Sequence, residues 1–186
     1  MEHESAVQIW NEIRLWSDEV LEIPCPGYAN LPPCPFARMA WLKNNVIVHV
    51  TCELGDVIDV KSVMDANDEK LHLFAWVNYW EMTSNEFNYW IEEQNQNHFG
   101  VWLMGFHPNA TENPQIPEFQ GIVEDDYAII LVQSLKELVG ASDILRKTKY
   151  YEKHPSEDMQ YINRRKEVYD AWNEKACQEN AEEGSS

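Results

Sequence analysis

The stretch VIVHVTCE, residues 46–53, decides the fold. Most of its side chains are β-branched and they alternate between two faces, as is typical of a β-strand. One face carries Val46, Val48, Val50 and Cys52, and the other carries Ile47, His49 and Thr51. Outward from this stretch, residues 70–78 alternate in the same way, and residues 100–106 are apolar on both faces. The sequence therefore predicts three β-strands.

Helical patterns separate these strands. One covers about residues 56–64, and Thr83 with Glu86 three residues later forms a capping box that begins a second. Strands separated by a helix are expected to pair in parallel, because parallel neighbours need a crossover connection. We therefore expect an α/β fold, with a small, mainly parallel three-stranded sheet flanked by helices. The alternative is a ferredoxin-like α+β sheet with one antiparallel strand.

The two ends of the chain are predicted to be helical. Apolar residues recur at helical spacing over residues 4–22, and a short helix is expected to begin at Pro35. The last helix is expected to start near Ser156 and to continue through Trp172, and beyond about Glu174 the chain is polar and acidic. We expect residues 1–173 to form one domain and residues 174–186 to form an acidic flexible tail.

Asp125 and Asp126 are expected to begin one more helix, as its N-cap and as an acid in its first turn. Apolar residues follow at helical spacing, namely Tyr127, Ile130, Leu131, Leu135 and Leu138. Gly140 is expected to end this helix. The preceding loop of about 17 residues contains Pro108, Pro114 and Pro117, and long loops of this kind are often functional.

The composition restricts the classes of partner. The chain has 186 residues, with 14 Lys and Arg against 32 Asp and Glu, which gives a formal net charge of −18. Such a charge repels phosphate backbones and anionic lipids, so we expect no direct nucleic-acid or membrane binding. The N-terminal sequence is acidic and no apolar run reaches the roughly 18 residues of a membrane span, which favours a cytoplasmic protein. The acidic surface either serves solubility or docks on a basic partner.

Cys34 and His107 are the candidate catalytic residues. Ligands of parallel sheets bind outside the carboxyl ends of the strands, where the third strand ends at His107. The short helix at Pro35 is expected to begin at the same edge, with Cys34 as its cap residue. A helix N-terminus lowers the pKa of a thiol, and His107 can then act as a base. The alternative is that Cys34 is a small buried hydrophobe and that His107 only hydrogen-bonds the loop.

Metal binding is the second possibility for this edge. His107 together with Asp125 or Asp126 offers a nitrogen and carboxylate oxygens to a divalent cation. The four cysteines contain no Cys-x-x-Cys pair, so zinc-finger spacing is absent. His49 and His72 lie within strands and are interpreted as structural histidines rather than as ligands.

The motifs around the two candidate residues resemble those of the domain-of-unknown-function 1415 family. The first motif is Asn-Leu-Pro-Pro-Cys-Pro-Phe-Ala at residues 30–37, and the second is Gly-Phe-His-Pro at residues 105–108. Order and spacing are similar over most of residues 5–170. The resemblance implies a small intracellular α/β domain with a site at Cys34 and His107, and names no reaction. The family's Arg-Ser-Pro-Tyr-Pro segment is replaced here by residues 124–128. A weaker similarity is to hypothetical proteins of marine bacterial viruses, which implies an accessory protein acting on a host.

Two hypotheses about function remain open at this point. The first is a small enzyme or ligand-binding protein that uses Cys34 and His107 for thiol-based catalysis, or for binding a small molecule or a metal. The second is a protein without catalysis, whose acidic surface binds a basic partner. The first predicts a reactive Cys34 thiol, and the second predicts binding that is sensitive to salt.

Overall fold

The computed structural model describes residues 3–64, 67–96, 100–110, 127–154 and 156–183. The helices are α1 (His3–Trp16), α2 (Ala37–Leu42), α3 (Leu54–Val63), α4 (Ser84–Gln96), α5 (Leu135–Leu145) and α6 (Ser156–Glu183). The strands are β1 (Val46–Thr51), β2 (Leu71–Trp76), β3 (Val101–Phe106) and β4 (Ala128–Ser134). A π-helical turn, Ser17–Leu21, continues α1. The α/β class predicted from the sequence is confirmed.

The sheet is mixed and has four strands in the order β1-β2-β4-β3. β1 and β2 are parallel, whereas β4 lies antiparallel to both β2 and β3. The expectation of a three-stranded, mainly parallel sheet is therefore wrong. The ferredoxin-like alternative is also wrong in detail, because the antiparallel strand is a fourth one. The three predicted strands still run in one direction, so their carboxyl ends lie at the same edge of the sheet.

The missed strand β4 lies where the sequence predicted a helix. Apolar residues between Tyr127 and Leu138 fit a helical spacing, but the run Ala128–Val132 is also apolar without interruption. A strand buried on both faces has such a continuous apolar run. β4 lies between β2 and β3 and all of its first three residues are buried, which decides between the two readings. The helix begins only at Leu135, where the Ser134 side chain accepts a hydrogen bond from the Glu137 N–H, and it continues past Gly140.

The sheet carries helices on both faces. On one face, α3 and α4 cover a cluster that includes Phe74, Trp76 and Leu103. On the other face, Ile13 and Trp16 of α1 pack on a second cluster with Leu73, Ala75 and Ile129. A third cluster joins Trp102 of β3 to α5 and α6. Most of the apolar side chains thus divide into two layers, and alternate residues of each strand belong to opposite layers.

Gly105 permits close packing of α4 on β3. A Cβ atom at this position would lie 2.5 Å from Cε1 of Phe87 and 3.0 Å from Cγ1 of Ile91. Phe87 is fully buried, so its ring has no space into which it can move. Only glycine fits here without displacing the core.

Apart from the helix predicted to begin at Asp125, the predicted helices are present, with shifted ends. Thr83 and Glu86 form the predicted capping box, in which the Glu86 carboxylate accepts hydrogen bonds from the Thr83 N–H and hydroxyl. The short helix predicted from Pro35 begins at Ala37 instead, with Phe36 as its N-cap. The last helix was expected to end near Glu174, but it continues to Glu183. None of the helices within the described ranges is long and apolar enough to cross a membrane.

Candidate functional site

Cys34 lies in the layer of α1 and α2. Its N–H donates a hydrogen bond to the carbonyl oxygen of Leu21 at 3.0 Å, and Leu21 packs on the cluster that contains Ile13 and Trp16. Cys34 is close enough to Tyr28 and Tyr150 to act on both electrostatically. The Tyr150 hydroxyl donates a hydrogen bond to the carbonyl oxygen of Pro33. Cys34 is a free thiol, as are Cys25 and Cys52.

The thiol of Cys34 is not activated. Burial raises its pKa, although the N–H groups of Phe36 and Ala37 act in the opposite direction, and Glu22 raises it further. Removing a thiolate from water costs more than these two backbone N–H groups return. The sequence-based expectation of a lowered pKa is therefore contradicted, and the group is a thiol at neutral pH.

His107 is held by three hydrogen bonds. Its Nε2–H faces the carbonyl oxygens of Tyr79 at 3.3 Å and Met82 at 3.2 Å, and its Nδ1 accepts from the Asn109 N–H at 3.1 Å. Because both Nε2 partners are acceptors, Nε2 carries the proton. The ring is 5 % exposed and lies against Tyr79 and Phe87. Both ring nitrogens are hydrogen-bonded to backbone groups, which agrees with the alternative that His107 only hydrogen-bonds the loop.

The structure does not bring Cys34 and His107 together. His107 follows β3 on the same side as Leu103 and Gly105, which is the layer covered by α4. Cys34 lies in the layer of α1 and α2, on the other face of the sheet. Asp125 and Asp126 lie outside the described residues, so their proposed metal role stays a prediction. Within the described ranges, no group of three or more His, Cys, Asp or Glu side chains is arranged to hold a metal ion.

His49 and His72 form a pair across β1 and β2. Nε2 of His49 lies 2.9 Å from Nδ1 of His72, and the two rings are stacked with an interplanar angle of 8°. His49 also stacks on Phe74. Burial lowers the pKa of both histidines, and for His49 the neighbouring His72 lowers it further. Each ring has a partner within the sheet, which agrees with the structural role predicted for them.

The cluster of aromatic and basic side chains between the Cys34 loop and α6 was not predicted. The ring centroids of Tyr28 and Tyr150 lie 4.9 Å apart, and His154 lies about 5 Å from the centroids of Tyr28, Tyr150 and Tyr151. Buried Arg165 of α6 acts electrostatically on Tyr150. The sequence signal for this cluster is the run Tyr-Tyr-Glu-Lys-His at residues 150–154.

A second surface missed by the sequence analysis is the outer face of α3 and α4. Its exposed carboxylates, which we call the α3/α4 acidic face, are Glu53, Asp56, Asp59, Glu81, Glu86 and Glu93. None of them forms an ion pair in the described part of the chain. The segment from Leu54 to Gln96 contains two lysines and no arginine, and one of them, Lys61, is buried. Its Nζ donates to the carbonyl oxygen of Gln94, between the two helices.

Two large aromatic side chains are exposed among these carboxylates. Trp80 lies next to Glu81 and is 67 % exposed, and Tyr89 of α4 is 68 % exposed. Aromatic rings attract Lys and Arg cations through their π faces. The surface therefore combines negative charge with two cation-binding rings.

An open groove of about 390 Å³ lies between α5 and α6. It is lined by Asp143, Arg146, Asn163, Lys166, Glu167 and Asp170. Lys166 forms ion pairs with both Asp143 and Asp170 there. Most of the charged side chains of the groove are therefore paired with one another. This pairing leaves the groove with little electrostatic preference for a ligand.

Comparison with known proteins finds no match: no protein-family model, no curated protein and no solved structure matches this chain. The resemblance to the domain-of-unknown-function 1415 family stays a prediction. Function is therefore inferred from the geometry and charge of the molecule itself.

The raised pKa of Cys34 predicts slow alkylation. At neutral pH, a thiol with a raised pKa contains less thiolate than a free thiol, so iodoacetamide is expected to modify the exposed Cys52 well before Cys34. The rate at Cys34 is expected to increase with pH until beyond the pKa of a free thiol. Mass spectrometry of the labelled peptides measures both rates in one sample. Faster labelling of Cys34 than of Cys52 at neutral pH would contradict this assignment.

Proposed function

We propose that this protein is a non-catalytic binding protein whose α3/α4 acidic face binds a Lys- and Arg-rich segment of a partner protein. The observation that carries the proposal is the unpaired negative charge of that face. Six exposed carboxylates share it, and the only lysine within either helix is buried between the two helices. A concentration of one sign of charge on one face attracts a partner of the opposite sign and accelerates its association.

The uneven distribution of cations supports a localised interface rather than general solubility. Lys and Arg are absent between Leu71 and Leu135, and most of the basic residues lie before α3 or after β4. The ion pairs formed among the described residues all involve α1, its π-helical turn, α5 and α6 or the residues next to them. Charge that served solubility alone would need no such separation.

The exposed aromatic rings favour a polypeptide as the partner. Trp80 and Tyr89 offer Lys and Arg side chains a cation–π contact worth about 0.5–1 kcal/mol each. Bases of a nucleic acid also stack on such rings, but the surrounding carboxylates repel the phosphates that come with them. A basic peptide satisfies both the charge and the rings.

The two candidate catalytic residues favour binding over thiol catalysis. Cys34 is protonated at neutral pH, and both nitrogens of His107 are used by backbone groups on the other face of the sheet. Nucleophilic catalysis needs a thiolate with a base within hydrogen-bond reach. The arrangement of these two side chains does not provide one.

A salt titration tests the proposal. Fluorescence anisotropy of a labelled Lys- and Arg-rich peptide is followed as the protein is added, at NaCl concentrations from about 0.05 M to about 0.5 M. We expect saturable binding whose Kd rises at least about tenfold over this range, because salt screens exposed charge pairs. A matched peptide with Glu at every basic position serves as the control. Absence of binding at the lowest salt, or a Kd independent of salt, would refute the proposal.

A further inference from the structure

Arg165 is a buried cation without a carboxylate partner. Its side chain lies on α6, the residue is 9 % exposed, and its Nε has no hydrogen-bond partner. The guanidinium makes only weak contacts, at 3.8 Å to Sδ of Met104 and at 5.3 Å to the ring centroid of Tyr161. Within the described part of the chain it forms no ion pair. This is unexpected in a chain with a net charge of −18.

The groups around Arg165 do not neutralise it. Burial lowers the pKa of the guanidinium, and the groups that act on it electrostatically are Tyr161, Tyr151, Tyr150 and a second cation, Arg146. Burial raises the pKa of Tyr150 and Tyr161, so these tyrosines are neutral hydroxyls at physiological pH. The groups that act on the positive charge of Arg165 are therefore neutral hydroxyls and one further cation, and none of them is an anion.

A second unpartnered nitrogen belongs to the same cluster. Nδ1 of His154 is buried and has no hydrogen-bond partner. The His154 ring lies 5.2 Å from the ring of Tyr150 and 5.0 Å from that of Tyr151, the two tyrosines that also act on Arg165. The Tyr161 hydroxyl accepts a hydrogen bond from Nε1 of Trp102, which leaves its own O–H able to donate. Asp158 of α6 acts electrostatically on His154, so this ring already has a carboxylate nearby, whereas Arg165 has none among the groups that act on it.

The free-energy cost of an unpaired buried guanidinium indicates that Arg165 has a partner in the functional molecule. A buried guanidinium cannot lose its proton, and an unpaired buried charge is strongly unfavourable. A buried polar group without a partner in a native protein commonly indicates a ligand or an ion. Arg offers the fork of N–H donors that matches a phosphate or carboxylate group.

We propose that Arg165, on the aromatic cluster of Tyr150, Tyr151 and Tyr161, forms a binding site for a small oxyanion, a phosphate or carboxylate group. The bound group accepts hydrogen bonds from the guanidinium and supplies the missing negative charge. The site lies in the layer of α5 and α6, on the other side of the sheet from the α3/α4 acidic face. It is independent of the function proposed above.

Isothermal titration calorimetry with two probes tests this site. Inorganic phosphate and benzoate are titrated separately into the full-length protein, at an ionic strength held constant with NaCl. We expect saturable binding of at least one probe, and the responding probe distinguishes a phosphate from an aromatic carboxylate. Binding of neither probe would overturn the proposal.

Matched variants locate the binding. Arg165→Gln removes the buried charge and is expected to abolish saturable binding, whereas Lys147→Gln removes an exposed charge just after α5 and is expected to leave it unchanged. Arg165→Lys keeps the charge without the guanidinium fork, and we expect at least about tenfold weaker binding. This variant also keeps the test decisive if Arg165→Gln does not fold. Unchanged affinity in a folded Arg165 variant, or equal loss in Lys147→Gln, would overturn the assignment.

Discussion

Replacement of Asn95 with alanine is expected to lower the free energy of unfolding by about 2–4 kcal/mol. β3 is an edge strand of the sheet, and the Asn95 side chain of α4 covers its outer edge. Oδ1 of Asn95 accepts from the Leu103 N–H at 2.8 Å, and Nδ2 donates to the Leu103 carbonyl oxygen at 2.9 Å. Both residues are buried, so the alanine variant leaves an N–H and a carbonyl group without partners and away from water.

Chemical denaturation monitored by circular dichroism measures this effect. Asn88→Ala is the matched control, because Asn88 is an exposed residue of the same helix, and a change within about 0.5 kcal/mol is expected. Asn95→Asp keeps the shape of the side chain but places a carboxylate oxygen against the Leu103 carbonyl oxygen. We expect it to be at least as destabilising as the alanine variant. Equal stabilities of the Asn95→Ala and Asn88→Ala variants would show that the edge of β3 needs no such cover.

Neutralisation of the α3/α4 acidic face is expected to weaken the binding of the Lys- and Arg-rich peptide about 10- to 100-fold. The variant combines Glu53→Gln, Asp59→Asn, Glu81→Gln and Glu93→Gln, all at exposed positions. An exposed charge pair contributes about 0.2–1 kcal/mol, so the loss of four gives an effect of this size. Glu86 is left intact because it caps α4. The same anisotropy assay at low salt measures the change.

A control variant separates a local effect from one of net charge. Glu19→Gln, Glu152→Gln, Glu167→Gln and Glu174→Gln also remove four exposed carboxylates, but from elements outside the α3/α4 acidic face. We measure this control at about 0.1 M NaCl, where charges more than about 10 Å apart are largely screened, and expect less than about a threefold change in Kd. If both variants weaken binding equally, only the total charge matters and the acidic face is not the binding surface.

The fold could be predicted where local patterns have one interpretation. Alternating β-branched residues predicted β1, alternation alone predicted β2, and the Thr83–Glu86 capping box predicted where α4 begins. The prediction for the β4 segment was wrong because its apolar residues fit a helical spacing and a buried strand equally well. Its place between β2 and β3 decides the matter, and that contact is not local in the sequence.

The candidate site shows a different limit of the sequence. The carboxyl edge of the strands was predicted from their order, but an edge has two faces. His107 has the same parity as Val101 and Leu103 and so lies on the face covered by α4, whereas nothing local to Cys34 indicates which face α2 covers. The charge asymmetry could have been seen, because the sequence from Leu71 to Leu135 contains no Lys or Arg. The absence of a carboxylate partner for Arg165 among the described residues depends on tertiary packing, so the sequence alone does not reveal it.

Amide chemical-shift mapping of the bound peptide tests the central claim most directly. The isotopically labelled protein is titrated with the Lys- and Arg-rich peptide at low salt, and the perturbed backbone amides and the Trp80 indole N–H are identified. We expect the perturbations to be confined to α3, α4 and the segment around Trp80. Perturbations centred on α5 and α6, or no saturable perturbation at all, would contradict the assignment of the α3/α4 acidic face as the binding surface.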